Sequence, residues 1–107
     1  MKVKVLGAEY TIKESTKAAD PILENNDGYC DHSIKAIVID ELKDTNTDSL
    51  KDLDEYKKQV LRHELVHAFL FESGLGGCSW AKDEEIVDWI AYQFPKMAAA
   101  FEALNVI

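Results

Sequence analysis

The chain has 107 residues, of which 47% are hydrophobic, and this is enough for one domain with a modest core. Its net charge of −8, from 20 acidic and 12 basic residues, disfavours nucleic acid as the main partner, because phosphate binding requires a basic surface. The sequence has neither an apolar run of about 18 residues, as a membrane span requires, nor an N-terminal signal-peptide core, so we expect a cytoplasmic protein with no membrane partner.

The N-terminal residues predict a β-hairpin followed by a polar loop. Residues 2–6 and 9–13 alternate between apolar and polar side chains on either side of a short break at Gly7. Residues 14–27 are mostly polar and include several turn-forming residues, so we expect a loop there, with a short helical turn near Pro21.

A second hairpin is predicted from residues 28–31 and 35–40. Its second strand contains the β-branched run Ile37-Val38-Ile39, which is strongly typical of a strand. The polar residues 41–48 are then expected to form a loop that leads into the helical part of the chain.

Three helices are predicted in the rest of the chain from cap residues and apolar side chains, over residues of about 49–73, 84–94 and 95–105. Asp48 or Ser49 can cap the start of the first helix, and Gly74 can end it. Asp83 can cap the second helix, and Pro95 begins the third helix at a first-turn position, where proline is tolerated.

These elements together predict an α+β fold. A small twisted β-sheet of two hairpins would pack across the long first helix, and two C-terminal helices would follow. The sequence contains no repeats, linkers or low-complexity segments, so residues 1–107 are expected to form a single domain.

The long predicted helix contains the pattern His-Glu-x-x-His, as His63-Glu64-Leu65-Val66-His67. With 3.6 residues per helical turn, a spacing of four puts both imidazoles on one face, one turn apart. Two neutral imidazoles at this spacing can hold one Zn²⁺ ion, and the glutamate between them can act as a base toward water on the metal. The surrounding residues are apolar, so three polar side chains there require a role, because unpaired polar groups are costly in a core.

A catalytic zinc site uses three protein ligands, so a third ligand must come from outside this motif. The candidates are Glu84, Glu85, Asp88, His32 and Asp31. Glu84 and Asp88 share one face of the second predicted helix, where one carboxylate could bind the ion and the other could accept the ring N–H of a histidine. Glu85 is rotated from Glu84 by about 100°. We therefore predict Glu84 as the ligand and Asp88 as the orienting group, with Glu85 as the alternative ligand.

The two segments together resemble the gluzincin pattern of zinc metallopeptidases, with His63-Glu64-x-x-His67 followed by Glu84-x-x-x-Asp88. They are also similar to small phage and mobile-element metallopeptidase-like proteins related to the ImmA/IrrE group. One departure is Val87, where these proteins usually have a small residue. The resemblance implies a minimal zincin-like fold in which Glu84 is the third ligand and Asp88 lies behind a histidine.

The motif and the resemblance predict a zinc-dependent metallopeptidase that hydrolyses peptide bonds of a cytoplasmic protein substrate. Zinc would activate a water molecule, and Glu64 would be the general base that accepts its proton. Candidate donors to the oxyanion are Tyr29, His32, Tyr56 and Tyr92. An extended substrate would pair with a sheet edge beside the cleft, for which the Lys35–Ile39 strand is the candidate.

The alternative is a catalytically silent, zinc-binding interaction or regulatory module of phage or mobile-element origin. A chain of this length has little room for the far wall of a substrate cleft, which favours a narrow substrate, a protein partner that completes the cleft, or no catalysis. Glu64 favours the enzyme, because a purely structural zinc site does not need it.

Overall fold

The computed structural model describes residues 1–43 and 52–107, and it confirms the α+β class. In these residues a sheet of four strands packs against one long helix, and a second long helix packs against the first. The elements are β1 (Lys2–Val5), β2 (Ala8–Ser15), β3 (Gly28–Asp31), β4 (Ala36–Asp40), α1 (Leu53–Glu72) and α2 (Glu84–Ala103), with short 3-10 turns at Pro21–Asn25 and Trp80–Lys82. None of the helices in these two ranges is long and apolar enough to cross a bilayer.

Both predicted hairpins are confirmed, and they join through a parallel pairing in the middle of the sheet. The order is β1-β2-β4-β3, with β2 and β4 parallel and both outer pairs antiparallel. Every residue of β4 is buried, as its β-branched run Ile37–Ile39 favours. The prediction that the Lys35–Ile39 strand offers a free edge is wrong, because β4 is paired on both sides. The edge next to the helices is β3.

The core lies between the sheet and α1. Its fully or almost fully buried members come from three strands and from α1, and they are Val5, Tyr10, Ile37, Ile39 and Ala68. The small side chain of Ala68 lets the helix approach the sheet closely. The hydroxyl of Tyr10 is buried but not orphaned, since it donates to Oε1 of Glu72 at 2.9 Å. The packing of Ala68 and the hydrogen bond between Tyr10 and Glu72 together hold the motif helix against the sheet.

Helix α1 begins later than the sequence predicted. Its first residue is Leu53, and the side chain of Asp52 caps it by accepting from the backbone N–H of Glu55 at 3.1 Å. The predicted caps Asp48 and Ser49 lie outside the described residues. The predicted end is confirmed, because the helix stops at Glu72 and Gly74 adopts a left-handed conformation with φ of +82°.

The prediction of a separate helix from Pro95 is wrong, because α2 runs through this residue without a break. A proline inside a helix removes one backbone hydrogen bond, at the carbonyl four residues earlier. That carbonyl belongs to Ala91, and it accepts instead from Nε of Arg62 on α1 at 2.6 Å. The sequence-based rule that proline ends a helix fails here because a neighbouring helix supplies the missing donor.

Asp83 caps α2 as predicted, and its removal should destabilise the protein. Its Oδ1 accepts from the backbone N–H of Glu85 at 2.9 Å. We expect Asp83→Ala to lower the free energy of unfolding by about 1 kcal/mol in denaturant titrations, because one N–H at the helix start loses its acceptor. Asp83→Asn keeps an acceptor and is the matched control. Equal stabilities of the two variants would contradict the cap.

Candidate metal centre

The two histidines of the motif converge on one point between α1 and α2. His63 and His67 lie one turn apart on α1, and their Nε2 atoms are 3.2 Å apart. The two rings are roughly perpendicular, with an angle of 68° between their planes. Both side chains are mostly shielded, each with 20% of its side-chain surface exposed. The ring nitrogens are therefore the polar atoms that these residues present to α2.

Glu84 supplies a carboxylate at the same point. It is the first residue of α2, and its Oε2 lies 2.8 Å from Nε2 of His63 while its Oε1 lies 3.2 Å from Nε2 of His67. Ligands of a tetrahedral zinc ion, at bond lengths of about 2.0–2.1 Å, lie about 3.3–3.4 Å apart. The three distances, which join the two imidazole nitrogens and the two oxygens of Glu84, are thus slightly shorter than those between the ligands of a zinc ion.

Asp88 contacts the opposite side of the first histidine. Its Oδ1 lies 3.1 Å from Nδ1 of His63, one helical turn after Glu84. A carboxylate at this nitrogen holds the proton on Nδ1 and leaves the lone pair of Nε2 free for a metal. Asp88 therefore lies where a carboxylate would orient and polarise a metal-binding imidazole.

The other candidate ligands lie apart from this cluster. Glu85, the alternative ligand, is exposed and contributes its backbone N–H to the cap of α2. The ring of His32 stacks on Phe71 with 4.3 Å between centroids. Asp31 accepts from the backbone and the hydroxyl of Ser33. The structure therefore brings together Glu84 with the two histidines and leaves the remaining candidates outside the donor set.

Glu64 is buried beside the donor set, with only 7% of its surface exposed. Burial raises the pKa of Glu64 to about 7; the charge of Glu84 acts in the same direction, and a positive charge on His63 would oppose it. A carboxyl group with a pKa near neutrality can both accept and return a proton at physiological pH. A divalent cation at the neighbouring nitrogens would lower this pKa.

Two open clefts meet at Glu64. The larger, of about 540 Å³, is bordered by the donor set together with Tyr29, Cys30 and His32. The smaller, of about 290 Å³, extends past Asp27, Tyr56, Gln59 and Asp88. Glu64, His63 and Gly28 line both of them. The candidate centre thus lies at the junction of a groove whose floor includes the start of β3.

Gly28 lets β3 contact the motif helix, and this role was not recognised from the sequence. A Cβ atom at Gly28 would lie 2.8 Å from Cγ1 of Val60 and 3.5 Å from Cγ of Glu64. Only a glycine allows the strand to lie this close to the helix. The sequence signal was a glycine at the first position of a predicted strand, but its partner across the fold cannot be identified from local pattern.

The four candidate oxyanion donors differ in how they are engaged. Tyr29 donates to Asp20, and this hydrogen bond raises the pKa of Tyr29 to about 12. Tyr56 donates to Asp27, and burial together with this bond raises its pKa to about 12. Both hydroxyl protons are therefore already directed at carboxylates.

The other two candidate oxyanion donors are Tyr92 and His32. Tyr92 is exposed, carries Lys96 over its ring, and borders neither cleft. His32 borders the larger cleft, and its Nδ1 contacts Sγ of Cys30 at 3.4 Å. Burial lowers the pKa of His32, so the ring is neutral at pH 7 and has one N–H. His32 therefore borders the larger cleft without its ring being directed at a carboxylate, whereas the hydroxyl protons of Tyr29 and Tyr56 are directed at carboxylates.

No family model, curated protein or solved structure matches this chain. Any function must therefore be inferred from the residues themselves. Within residues 1–43 and 52–107, one group of three potential metal ligands has its donor atoms within 4.8 Å of one another, and it consists of His63, His67 and Glu84.

The donor set predicts one zinc ion per chain and a defined ranking of variants. We expect Glu84→Gln and His67→Ala to weaken zinc binding by at least about tenfold, because each removes one of the three candidate ligands. Glu85→Gln is the matched control, since it changes the adjacent exposed carboxylate and should leave the affinity unchanged. Competition with a chromophoric chelator measures the affinities. If Glu85→Gln weakens binding and Glu84→Gln does not, the third ligand has been wrongly assigned.

The contact at Gly28 predicts a second effect. Gly28→Ala should lower the free energy of unfolding by roughly 1–3 kcal/mol, because the new methyl group overlaps Val60 and forces the strand away from the helix. Gly77→Ala is the control, since a Cβ atom there would meet nothing within 4 Å. Denaturant titration of both variants tests this, and equal stabilities would contradict the close approach.

Proposed function

We propose that this chain is a zinc-dependent metallopeptidase that hydrolyses peptide bonds of a protein or peptide substrate. The observation that carries the proposal is the convergence of His63, His67 and Glu84 beside a buried Glu64, at the junction of an open groove. The charge of −8 favours partners that are proteins rather than nucleic acids, and we further propose a cytoplasmic location.

The chemistry of the donor set fits a catalytic zinc site. It offers two imidazole nitrogens and one carboxylate, the ligand number that leaves a coordination position for water or substrate. The side chain of Glu84 is 67% exposed and the donor set borders the larger cleft, so an ion held there would be accessible to water and substrate. A zinc ion bound there would supply a Lewis acid that polarises the scissile carbonyl and activates a water molecule.

Glu64 is the residue that would move the proton. Its carboxyl group takes the proton of the attacking water and later returns it to the nitrogen of the leaving amine. An amine is a poor leaving group unless it is protonated, so the same side chain serves both steps. Its position at the meeting point of the two clefts gives it access to substrate on either side of the scissile bond.

The edge strand β3 is the natural binding surface for an extended peptide. Among the described strands, β3 pairs only with β4, so its other side can accept the backbone of a substrate. Gly28 at its start lines the same clefts as Glu64, and therefore a peptide along β3 would pass close to the candidate base. The neutral ring of His32, two positions beyond Cys30, could donate to the oxyanion, which is worth roughly 3 kcal/mol for one well-placed donor.

A silent zinc-binding module is the second candidate, and the openness of the groove is the observation that favours it. The carboxylates of Glu84 and Asp88 are 67% and 63% exposed, so no wall covers them within the described ranges. A substrate protein or a partner would have to complete the cleft. Glu64 favours the enzyme, because burying a carboxyl group that is not a metal ligand is costly, and a role as general base explains its presence despite that cost.

A cleavage assay tests the proposal directly. Zinc-loaded wild type should cleave labelled casein or members of a random peptide library, and Glu64→Gln should bind zinc normally but lose about 10²–10⁴-fold in rate. Glu85→Gln is the control for a carboxylate lost nearby. If zinc-loaded wild type leaves every substrate intact, the silent module is the better description. Equal cleavage rates for Glu64→Gln and wild type would contradict the proposal, because the cleavage would then come from a contaminating protease.

A further inference from the structure

Three of the polar contacts that cross from α1 to α2 lie in order along both helices. They are His67 Nε2 to Glu84 Oε1 at 3.2 Å, His63 Nδ1 to Asp88 Oδ1 at 3.1 Å, and Arg62 Nε to the backbone carbonyl oxygen of Ala91 at 2.6 Å. The first two belong to the candidate metal centre. The third lies about one turn further along α2, next to the centre but outside it.

The third contact exists because Pro95 lies inside the helix. In an uninterrupted helix the carbonyl of Ala91 would accept from the N–H of residue 95, and proline has none. Ala91 is fully buried, so water is not available as a substitute donor. The guanidinium of Arg62, itself only 24% exposed at the side chain, provides a charged N–H at short range.

We propose that Arg62 is a positioning residue, whose bond to the carbonyl freed by Pro95 fixes α2 along α1 so that Glu84 meets the two histidines. The inference rests on the function proposed above, because the atoms that it aligns are those of the proposed zinc site. Arg62 borders neither of the two clefts, and its side chain contacts Ala91 and Glu55.

The physical reason lies in the stiffness of the three contacts. Glu84 and Asp88 reach the histidines through exposed, rotatable side chains, so these contacts alone do not hold α2 at one position along α1. The carbonyl of Ala91 is part of the buried backbone and cannot rotate in this way. A shift of α2 by one residue relative to α1 would move the helix by about 1.5 Å along its axis and rotate it by about 100°. A metal site tolerates displacements of only about 0.5 Å.

Two single variants and their combination separate positioning from stability. In Arg62→Ala the buried carbonyl loses its donor, so the melting temperature should fall and the Kd for zinc should rise by at least about tenfold. In Arg62→Ala combined with Pro95→Ala, the new N–H of residue 95 satisfies the carbonyl within α2. The double variant should therefore recover most of the melting temperature while its zinc affinity stays at least about tenfold weak.

Glu55→Gln is the matched control, because Glu55 is the other neighbour of Arg62, at 3.9 Å from its guanidinium, and its loss leaves the bond to Ala91 intact. This control should bind zinc and melt as wild type does. If the double variant recovers zinc affinity together with its melting temperature, Arg62 only stabilises the fold and the inference is overturned. The same conclusion follows if Arg62→Ala binds zinc as tightly as wild type.

A metal-free measurement keeps this inference separate from the proposed function. In the apo protein, NMR should detect cross-helix nuclear Overhauser effects from the His63 ring to Asp88 and from the His67 ring to Glu84. These should weaken in the double variant, and their persistence at full strength would overturn the positioning role. If wild type binds no zinc, the proposed function fails, and these contacts still decide what Arg62 does.

Discussion

The structure depends on how one helix divides its surface between a core and a polar site. Successive residues of a helix are turned by about 100°, so Glu64 lies about 60° from His67 and about 40° from Ala68. Ala68 is fully buried in the core, and the two histidines face α2. Glu64 therefore lies on the border between both surfaces, under the edge strand. Its burial beside the imidazoles follows from the spacing of the motif once α1 is packed on the sheet.

Polar ties outside the site hold the walls of the groove in place. Lys17, in the segment between β2 and β3, donates to the carbonyl of Leu23 at 2.6 Å and pairs with the buried carboxylate of Asp40 at 3.0 Å. Asp27, just before β3, accepts from Tyr56 on α1. The segment that leads into β3 is thus anchored to the end of β4 and to the helix. Asp40 is buried but Lys17 is exposed, so this pair fixes the position of the segment more than it adds stability.

Local sequence pattern was sufficient to predict the hairpins, the helical turn near Pro21, the cap of α2 and the end of α1. In each case the deciding residues, such as Asp83 and Gly74, act on neighbours within a few positions. The motif spacing likewise predicted that the two imidazoles would share a face. The proximity of Glu84 to the imidazoles depended on an assumption that α2 packs against α1. Glu84 was chosen because it shares a helix face with Asp88, since the sequence does not show contacts between the two helices.

What local pattern could not supply were the contacts between distant segments. The parallel pairing of β2 with β4 puts the second hairpin's inner strand at the centre of the sheet, and nothing within the hairpin itself indicates this. Pro95 reads as a helix start because its compensation, Arg62, is 33 positions away. Gly28 has no visible constraint until Val60 lies across from it. All three errors or omissions involve residues whose roles are set by a partner on another element.

The packing places several carboxylates close together at the candidate metal centre, and their charges would favour a cation among them. Glu64, Glu84 and Asp88 lie around two imidazoles, and the charge of Glu84 is one of the causes that raise the pKa of Glu64. Carboxylates this close together repel each other unless a positive charge lies between them. A proton on Glu64 relieves part of the repulsion, and a divalent cation at the imidazole nitrogens would relieve more of it. Metal and proton would therefore compete at this cluster, and a cation bound beside Glu64 would lower the pKa that burial raises to about 7, so that more of its carboxyl group is available as a base.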